Sequence, residues 1–279
     1  MPRLSEKMFY NGRVIPVARH LIPGRIRQPG VFETMLFDRG VIFFWERHLR
    51  RLRAGWARLK FSALNFRFRP VVRELIRLNR FDTARVRLMA WREKGRPHLA
   101  VTVSPWTGYS LSRYQQGFRL GLAEVRLDPA EHPASLKAMA YAPYARVSKA
   151  ARAWNKDDAV LLNVRGEVVE TSRANIFFVK GRELMTPGLT CGCLNGITRR
   201  IMIGLARQNG LTCRSVKLAA EDLFSMDEIF VTNSLLGIMP VNAVQGRRIG
   251  RPRRRPVTRS LARAYGGFCR AYRSRFKKL

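Results

Sequence analysis

An isolated lysine is the first residue of this chain whose type and setting could do chemistry. Lys137 lies in the segment ASLKAMAY, among small and apolar residues, in a chain whose basic residues are mostly arginine. An amine in such surroundings can act as a nucleophile that forms a Schiff base with a carbonyl compound. Taken alone, the pattern is more typical of a surface lysine whose stem covers apolar residues.

A carboxylate is the second such residue. Glu170 closes the run Glu167-Val-Val-Glu170. In a strand, residues three apart point to opposite faces, so at most one of the two acids is expected to be buried. A buried carboxylate needs a charged partner, and a protonated pyridine nitrogen would supply one. An edge-strand glutamate is the alternative.

A glycine-led helix start is the third feature. Gly196-Ile197-Thr198 opens a helix with no acidic residue in its first turn. Free backbone N–H groups, a threonine hydroxyl and the helix dipole together make an anion site, although an ordinary capped helix fits equally well. Asn233-Ser234, at a strand end, offers a further hydroxyl for a phosphate or forms a simple turn.

Arg51 could add a bidentate phosphate clamp. It lies three residues after His48 and therefore on the same helix face. The surrounding arginines make a solvated basic face an equally good interpretation. A lysine, a buried acid and an anion site are together what a pyridoxal phosphate enzyme needs.

The elements that position these residues follow from turn signals and apolar periodicity. The stretch from Ala159 to Phe178 predicts two strands around a turn, with Glu170 where the apolar pattern breaks. Helices are predicted at Trp45 to Leu59, Val71 to Leu78, Tyr144 to Trp154, Gly196 to Gln208, Ala219 to Phe224 and Val257 to Phe276. Strands are predicted at Val31 to Phe37, Val41 to Phe44, Arg85 to Trp91, His98 to Val103, Phe118 to Val125, Glu183 to Thr186, Leu211 to Val216 and Glu228 to Thr232.

The irregular alternation of these elements favours an α+β fold over a doubly wound one. A linker at Ser104 to Gly108 divides the chain into a smaller α+β domain, residues 1–105, and a larger mixed α/β domain, residues 111–279. The start of the chain has no apolar stretch typical of a secretory signal, and no run of about 18 apolar residues occurs. We therefore expect a cytoplasmic protein.

Charge and cysteine content limit the other function classes. The 53 basic and 19 acidic residues give 53 − 19 = +34, which would attract nucleic acid or other polyanions. Because arginines occur throughout the chain, a compositional bias is the favoured interpretation, and the run from Arg247 to Arg255 is the one local candidate for a polyanion contact. The four cysteines lack zinc-ligand spacing, so we expect plain thiols and no metal.

Six segments, taken in order, resemble the class IV aminotransferases, the fold-type-IV pyridoxal phosphate enzymes. This resemblance spans about Val31 to Val244. The segments are VFETM, ERHLRRL, LKAMAY, DDAVLLNVRGEVVETSRANIFFV, TPGLTCGCLNGITRR and DEIFVTNSLLGIMPV. Agreement of six segments in order is far more specific than any one motif. The resemblance implies a two-domain D-amino acid aminotransferase-like fold, pyridoxal 5'-phosphate as cofactor and a homodimer.

The resemblance also implies residue roles. Lys137 would hold the cofactor and shuttle the proton at the substrate α carbon, and Glu170 would pair with the pyridine nitrogen. Tyr141 would bond the phenolic oxygen of the ring. The phosphate would be held by Arg51, Ile197, Thr198 and Ser234. Substrate contacts would come from Arg92 and Asn233.

The motifs indicate less specifically which reaction of this family the chain catalyses. Asn233-Ser234-Leu-Leu-Gly resembles aminodeoxychorismate lyase, which releases pyruvate and 4-aminobenzoate, and this is the first prediction. A branched-chain or other amino acid aminotransferase is the alternative. A basic binding protein on the same scaffold is the third possibility. Two departures from the family pattern affect substrate identity: Ile26 to Gly30 replaces the usual glycine-and-acid-rich lead, and Ala140 stands where asparagine is common.

Overall fold

The computed structural model describes residues 6–18, 21, 26, 28–61, 63–131, 134, 136–139, 142–251 and 254–276. The chain divides into two compact units. The first unit comprises Met1–Thr107, Ser135–Tyr141 and Ala271–Leu279, and the second comprises Gly108–Ala134 and Ala142–Arg270. Both units combine a sheet with helices, as an α+β chain should.

The first unit is built on a six-stranded antiparallel sheet with the order β2-β1-β6-β5-β3-β4. Its elements are β1 (Lys7–Tyr10), β2 (Arg13–Pro16), β3 (Gly30–Asp38), β4 (Val41–Ile42), α1 (Trp45–Arg58), α2 (Phe68–Asn79), β5 (Thr83–Glu93) and β6 (Arg96–Pro105). The helices α1 and α2 pack on one face through a large apolar core. The opposite face carries a second, smaller cluster that includes Phe32, Met89, Trp91 and Met139.

The second unit is built on a mixed nine-stranded sheet whose main path is β12-β11-β10-β13-β14-β7-β8-β9. Its strands are β7 (Phe118–Leu127), β8 (Asp158–Asn163), β9 (Val168–Thr171), β10 (Asn175–Lys180), β11 (Glu183–Pro187), β12 (Thr212–Val216), β13 (Glu228–Asn233), β14 (Gly237–Val244) and β15 (Arg247–Arg248). Its helices are α3 (Leu111–Gln116), α4 (Ala142–Ala153) and α5 (Ile197–Gln208), and α6 (Pro256–Arg275) begins in it. Two 3₁₀ turns cover Leu189–Cys191 and Glu221–Ser225.

The stretch predicted as two strands around a turn is three strands, so that prediction is wrong. The second break falls between β9 and β10, where side chains bond locally to the chain. Thr171 Oγ1 donates to the carbonyl of Ala174 at 3.1 Å, and Asp158 accepts bonds from both the backbone and the hydroxyl of Ser172. These local bonds replace strand pairing and start β10 in a new direction.

Two smaller differences also have local causes. The strand predicted to reach Phe44 ends at Ile42, because Phe44 adopts a left-handed φ of 58° as the residue that precedes α1. The short helix α3 was not predicted, although Ser110 is a good N-cap residue. Its hydroxyl accepts a bond from the backbone N–H of Arg113 at 3.2 Å.

Candidate active site

Lys137 lies in the first unit, on a short segment that extends the edge of β3. The N–H of Phe32 donates to the carbonyl of Lys137 at 3.1 Å. The N–H of Met139 donates to the carbonyl of Gly30 at 2.8 Å. These bonds fix the backbone on both sides of the lysine. Its Nζ lies 4.5 Å from the centre of the Phe32 ring, on the sheet face that carries the smaller apolar cluster. The amine is thus presented from a fixed backbone beside an aromatic ring that belongs to this apolar cluster.

Arg51, on α1, belongs to a buried trio whose other members were not assigned roles from the sequence. Its Nε donates to Glu33 Oε1 at 2.6 Å and its Nη2 to Oε2 at 2.8 Å. His48 Nδ1 lies 2.7 Å from the same Oε2. The structure therefore places Arg51 in an internal ion pair, and its contact with a phosphate stays a prediction.

Arg87 is a further candidate, and its place in the sequence does not distinguish it from the other arginines of the chain. On β5 it pairs with Thr34 of β3 and Thr102 of β6, which places it on the same sheet face as Phe32. Its Nε has no hydrogen-bond partner among the described residues. Burial, followed by the charge of Arg85, lowers its pKa to about 10. A largely buried cation of this kind suits the carboxylate of a bound molecule.

Arg92, the arginine predicted to bind substrate, lies at the exposed end of the β5–β6 hairpin. Its Nε donates to the carbonyl of Gly95 at 2.8 Å, within the same turn. Its guanidinium also lies 5.3 Å from the centre of the Phe61 ring. Of Arg87 and Arg92, Arg87 is the better placed for a substrate near Lys137, because it shares the sheet face of Phe32.

Glu170 lies in the second unit, buried on β9, and both of its oxygens accept hydrogen bonds. The hydroxyl of Tyr144 on α4 donates to Oε1 at 3.0 Å, and Asn175 Nδ2 on β10 donates to Oε2 at 2.9 Å. Glu167 is only partly buried and pairs with Arg165 at 2.8 Å. The prediction that at most one of the two acids would be buried is confirmed. Two neutral donors hold the Glu170 carboxylate in one orientation.

Asn175 connects this acid to the start of α5. Its Nδ2 also donates to the carbonyl of Leu194 at 2.8 Å. The backbone at Gly196 passes so close that a Cβ there would lie 2.0 Å from Asn175 Oδ1. The φ of Gly196 is −63°, which any residue adopts, so lack of space is what requires glycine. One carboxamide thus sets the position of Glu170 relative to α5.

The start of α5 has the character of an anion site. Its first turn contains no acidic residue, and the N-cap residue Gly196 supplies no side-chain hydrogen bond. The N–H groups of Ile197 and Thr198 have no acceptor within the helix. The Thr198 hydroxyl is buried and lies near the Tyr265 hydroxyl, but by distance and angle it makes no hydrogen bond to a described residue. A buried hydroxyl beside first-turn N–H groups fits the phosphate of pyridoxal phosphate.

Asn233 and Ser234 lie where β13 turns toward β14. Asn233 Oδ1 accepts bonds from the backbone N–H groups of Leu235 and Leu236 at 2.9 and 2.8 Å, and its Nδ2 donates to the carbonyl of Arg173 at 3.0 Å. The Asn233 amide is therefore engaged in shaping the turn that carries Ser234. Their contacts with a ligand stay predictions, and Tyr141 lies outside the described residues.

The remaining reactive groups suggest no other chemistry. The four cysteines are free thiols, and burial raises the pKa of Cys193 to about 12, which keeps it protonated. Within the described residues, no group of three His, Cys, Asp or Glu side chains is placed to hold a metal. Nor is any described helix long and apolar enough to cross a membrane.

Comparisons with known proteins agree with this geometry. The model of the family "Amino-transferase class IV" matches residues 30–244. A branched-chain-amino-acid aminotransferase of Escherichia coli is 29% identical over 246 residues, covering 81% of this chain and 78% of that protein. An aminodeoxychorismate lyase of Vibrio harveyi is 27% identical over 232 residues, covering 77% and 83%.

Solved structures share the fold over nearly the whole chain. A branched-chain aminotransferase of Thermoproteus uzoniensis, solved with norvaline, is 27% identical with a TM-score of 0.80, and 94% of each chain is covered. A second branched-chain amino acid aminotransferase, from the organism abbreviated T.th. and solved with pyridoxamine 5'-phosphate, is 23% identical with a TM-score of 0.83, covering 94% of this chain and 93% of that one. The predicted α+β fold is thereby confirmed.

Proposed function

The chain belongs to the class IV aminotransferase family of pyridoxal 5'-phosphate enzymes, and we propose that it transfers the amino group of a branched-chain or other aliphatic amino acid to a keto acid. The family resemblance, the enzyme class and the cofactor predicted from the sequence are confirmed by this membership. Among the relatives, most are named branched-chain aminotransferases, which supports transamination better than the lyase reaction predicted first.

The observation that carries the proposal is the composition of one face of the first unit's sheet. The Lys137 amine lies over the Phe32 ring beside an apolar cluster that includes Met89 and Trp91. Arg87 lies on the same face, and no described residue accepts a bond from its Nε. An aliphatic amino acid has an apolar side chain and a carboxylate, and this face offers a suitable partner for each.

Bound pyridoxal phosphate supplies an electron sink that stabilises negative charge at the α carbon of an amino acid. We assign Lys137 to attach the cofactor covalently and then to move the proton at the substrate α carbon. Glu170, oriented by Tyr144 and Asn175, would accept a hydrogen bond from the protonated ring nitrogen. The phosphate would be held by Arg51, Ile197, Thr198 and Ser234, and Tyr141 would bond the phenolic oxygen.

The decisive test separates transamination from lyase chemistry by its need for a second substrate. Purified protein is incubated with leucine or valine, each enantiomer separately, with and without 2-oxoglutarate, and the new keto acid is measured. We expect repeated turnover only when the acceptor is present, and without it at most one keto acid per cofactor-loaded site, because the cofactor itself can take up a single amino group. Absence of transfer from every aliphatic amino acid tested would overturn the proposal.

The lyase remains the second candidate because of the match to the Vibrio harveyi enzyme over 83% of its length. It would act on aminodeoxychorismate and release pyruvate and 4-aminobenzoate with no keto acid added. The same protein is therefore assayed for both products in the absence of an acceptor. Pyruvate release under that condition would replace the aminotransferase assignment with the lyase.

We also propose a homodimer and a cytoplasmic location, both from the family resemblance. Light scattering after size-exclusion chromatography should give twice the mass of one chain. A monomer with full activity would contradict the dimer.

A further inference from the structure

Glu33 is a fully buried carboxylate that the proposed reaction does not use. It lies on β3 with no exposed surface, and an isolated charge there would be strongly disfavoured. Burial by itself would raise the pKa of Glu33, but Arg51 and then His48 outweigh it and hold the pKa at about 2. The carboxylate is therefore ionised at neutral pH and acts only as a hydrogen-bond acceptor.

Arg51 meets this carboxylate in a fork. Its Nε and Nη2 donate to the two oxygens at 2.6 and 2.8 Å, so one edge of the planar guanidinium is fixed. A guanidinium has five N–H donors, and the fork uses two of them. Because the guanidinium is planar, the fork also fixes the directions of the donors on Nη1 and of the second donor on Nη2.

His48 completes the arrangement from the same helix face as Arg51. Because the carboxylate can only accept, the short contact of 2.7 Å requires His48 to donate from Nδ1. Burial lowers the pKa of His48, so the ring is neutral with its proton on Nδ1. A neutral histidine adds a donor to Glu33 without adding a second positive charge beside Arg51.

We propose that Glu33 is a positioning residue that, with His48, fixes the plane of the Arg51 guanidinium so that its remaining N–H groups bind the phosphate of the cofactor. The inference rests on the phosphate role proposed for Arg51, but not on which amino acid the enzyme uses. Glu33 would act through Arg51 and touch neither substrate nor cofactor. Its charge and its geometry would then matter for phosphate recognition in particular.

The test compares two ligands that differ only in the phosphate. Pyridoxal phosphate and pyridoxal are each titrated into cofactor-free protein, and the ratio of their dissociation constants gives the phosphate preference. In Glu33→Gln we expect this preference to fall about 10- to 100-fold, because a charge-assisted fork is lost, while pyridoxal binding is little changed. Arg51→Met should lose at least as much.

A double-mutant cycle shows whether Glu33 acts through Arg51. Adding Glu33→Gln to Arg51→Met should cause no further loss of phosphate preference. Glu74→Gln is the matched control, because Glu74 forms a similar fork with Arg77 on the exposed surface, at 2.8 and 3.0 Å. It should leave both titrations unchanged.

The outcomes separate this inference from the proposed function. If wild-type protein prefers the phosphate and folded Glu33→Gln keeps that preference, Glu33 is only a structural counter-ion and the inference fails, while the cofactor assignment stands. If Glu33→Gln does not fold, Glu33→Asp decides, since its shorter carboxylate keeps the charge but weakens the fork. It should retain pyridoxal binding and lose part of the phosphate preference, and an unchanged preference overturns the inference.

Discussion

The Asn175 carboxamide occupies the space into which a side chain at Gly196 would have to grow. A Cβ at Gly196 would lie 2.0 Å from Asn175 Oδ1, whereas the amide nitrogen of Asn175 donates to Glu170 and to the carbonyl of Leu194. The acid proposed for the ring nitrogen and the helix start proposed for the phosphate are therefore held by one side chain. A substitution at Gly196 should therefore alter the position of Glu170, and a substitution at Glu170 should alter the start of α5.

Gly196→Ala tests this coupling. The new methyl group must displace the carboxamide or the helix start, so the free energy of unfolding should fall by about 1–3 kcal/mol and cofactor binding should weaken. Urea denaturation and titration with pyridoxal phosphate measure the two effects. Gly204→Ala, also on α5, is the control, because nothing lies within 4 Å of a Cβ there. It should stabilise the helix by up to about 1 kcal/mol, and equal behaviour of the two variants would contradict the coupling.

Tyr144→Phe removes the hydroxyl that donates to Glu170 at 3.0 Å. Because a buried carboxylate oxygen loses a donor, we expect a loss of about 1–3 kcal/mol in unfolding free energy and weaker cofactor binding. The same substitution in a Glu170→Gln background should cost less, since the acceptor has lost its charge. Equal costs in the two backgrounds would show that the hydroxyl acts independently of Glu170.

Lys137→Ala should abolish both the cofactor's absorbance band near the edge of the visible range and amino transfer, since the proposed attachment point is gone. Absorbance spectra of purified protein, recorded after incubation with pyridoxal phosphate and removal of the unbound cofactor, provide the measurement. Lys149→Ala, at an exposed position of α4, is the matched control and should keep the wild-type spectrum. A band that persists in Lys137→Ala would show that another amine of the protein attaches the cofactor.

Arg87→Met should raise the KM for the amino acid roughly 10- to 100-fold, because a charge-assisted bond to the substrate carboxylate is lost. Folding should be affected little, because the substitution also removes a largely buried positive charge, and no described residue accepts a hydrogen bond from its Nε. Arg92→Met changes the same side chain at the exposed end of the hairpin and should leave KM nearly unchanged. Steady-state kinetics measure the two KM values. A larger increase in KM for Arg92→Met than for Arg87→Met would identify Arg92 as the partner of the substrate carboxylate.

The trio of Glu33, His48 and Arg51 makes stability depend on pH in a definite direction. In the folded chain the pKa values of Glu33 and His48 lie below their ordinary values of 4.5 and 6.5. As the pH falls, these groups therefore bind protons in the unfolded chain before they do so in the folded chain. Stability is therefore full above about pH 6.5 and declines as pH falls, first through His48 and then through Glu33. A fall in the pKa of Glu33 from 4.5 to about 2 corresponds to about 3 kcal/mol.

Urea denaturation between pH 7 and pH 3 measures this decline. Glu167 titrates in the same range, because a hydrogen bond from Arg165 helps hold its pKa at about 2. The difference between wild type and Glu33→Gln gives the contribution of the buried acid to the pH dependence of the unfolding free energy. The difference between wild type and His48→Gln gives the contribution of the histidine, which is expected at the higher pH values. A slope unchanged by either substitution would show that the trio does not control it.

Much of the fold was predictable because the signals are local. Two-residue hairpin loops need positive φ values at both positions. The φ values are 43° and 90° at Asn11 and Gly12, and 47° and 78° at Lys94 and Gly95. Leu49, Leu52 and Trp56, apolar residues at helical spacing in the helix predicted from Trp45 to Leu59, are buried on one face of α1. The break before β10 was missed because it depends on Asp158, which reaches Ser172 only in the folded chain.

The site was predictable only for residues within known motifs. Glu33, Arg87 and Tyr144 acquire their significance from partners or surroundings that come together only on folding. Tyr144 is 26 residues from Glu170, and Glu33 is 15 from His48. Arg87 differs from an exposed strand arginine only in its burial, which the alternating pattern of β5 does not reveal. Burial and hydrogen-bond satisfaction distinguish these residues, and neither is a property of the sequence alone.

The path of the chain limits how this enzyme can be divided or recombined. The segment that carries Lys137 returns to the first unit from the second, where Ala138 pairs with Val31 and Lys137 accepts a bond from Phe32. A fragment that stops at Thr107 would leave this edge of β3 without its neighbour and would lack the nucleophile. Exchange of halves between relatives at a single crossover would likewise combine the lysine of one parent with the β3 strand of another.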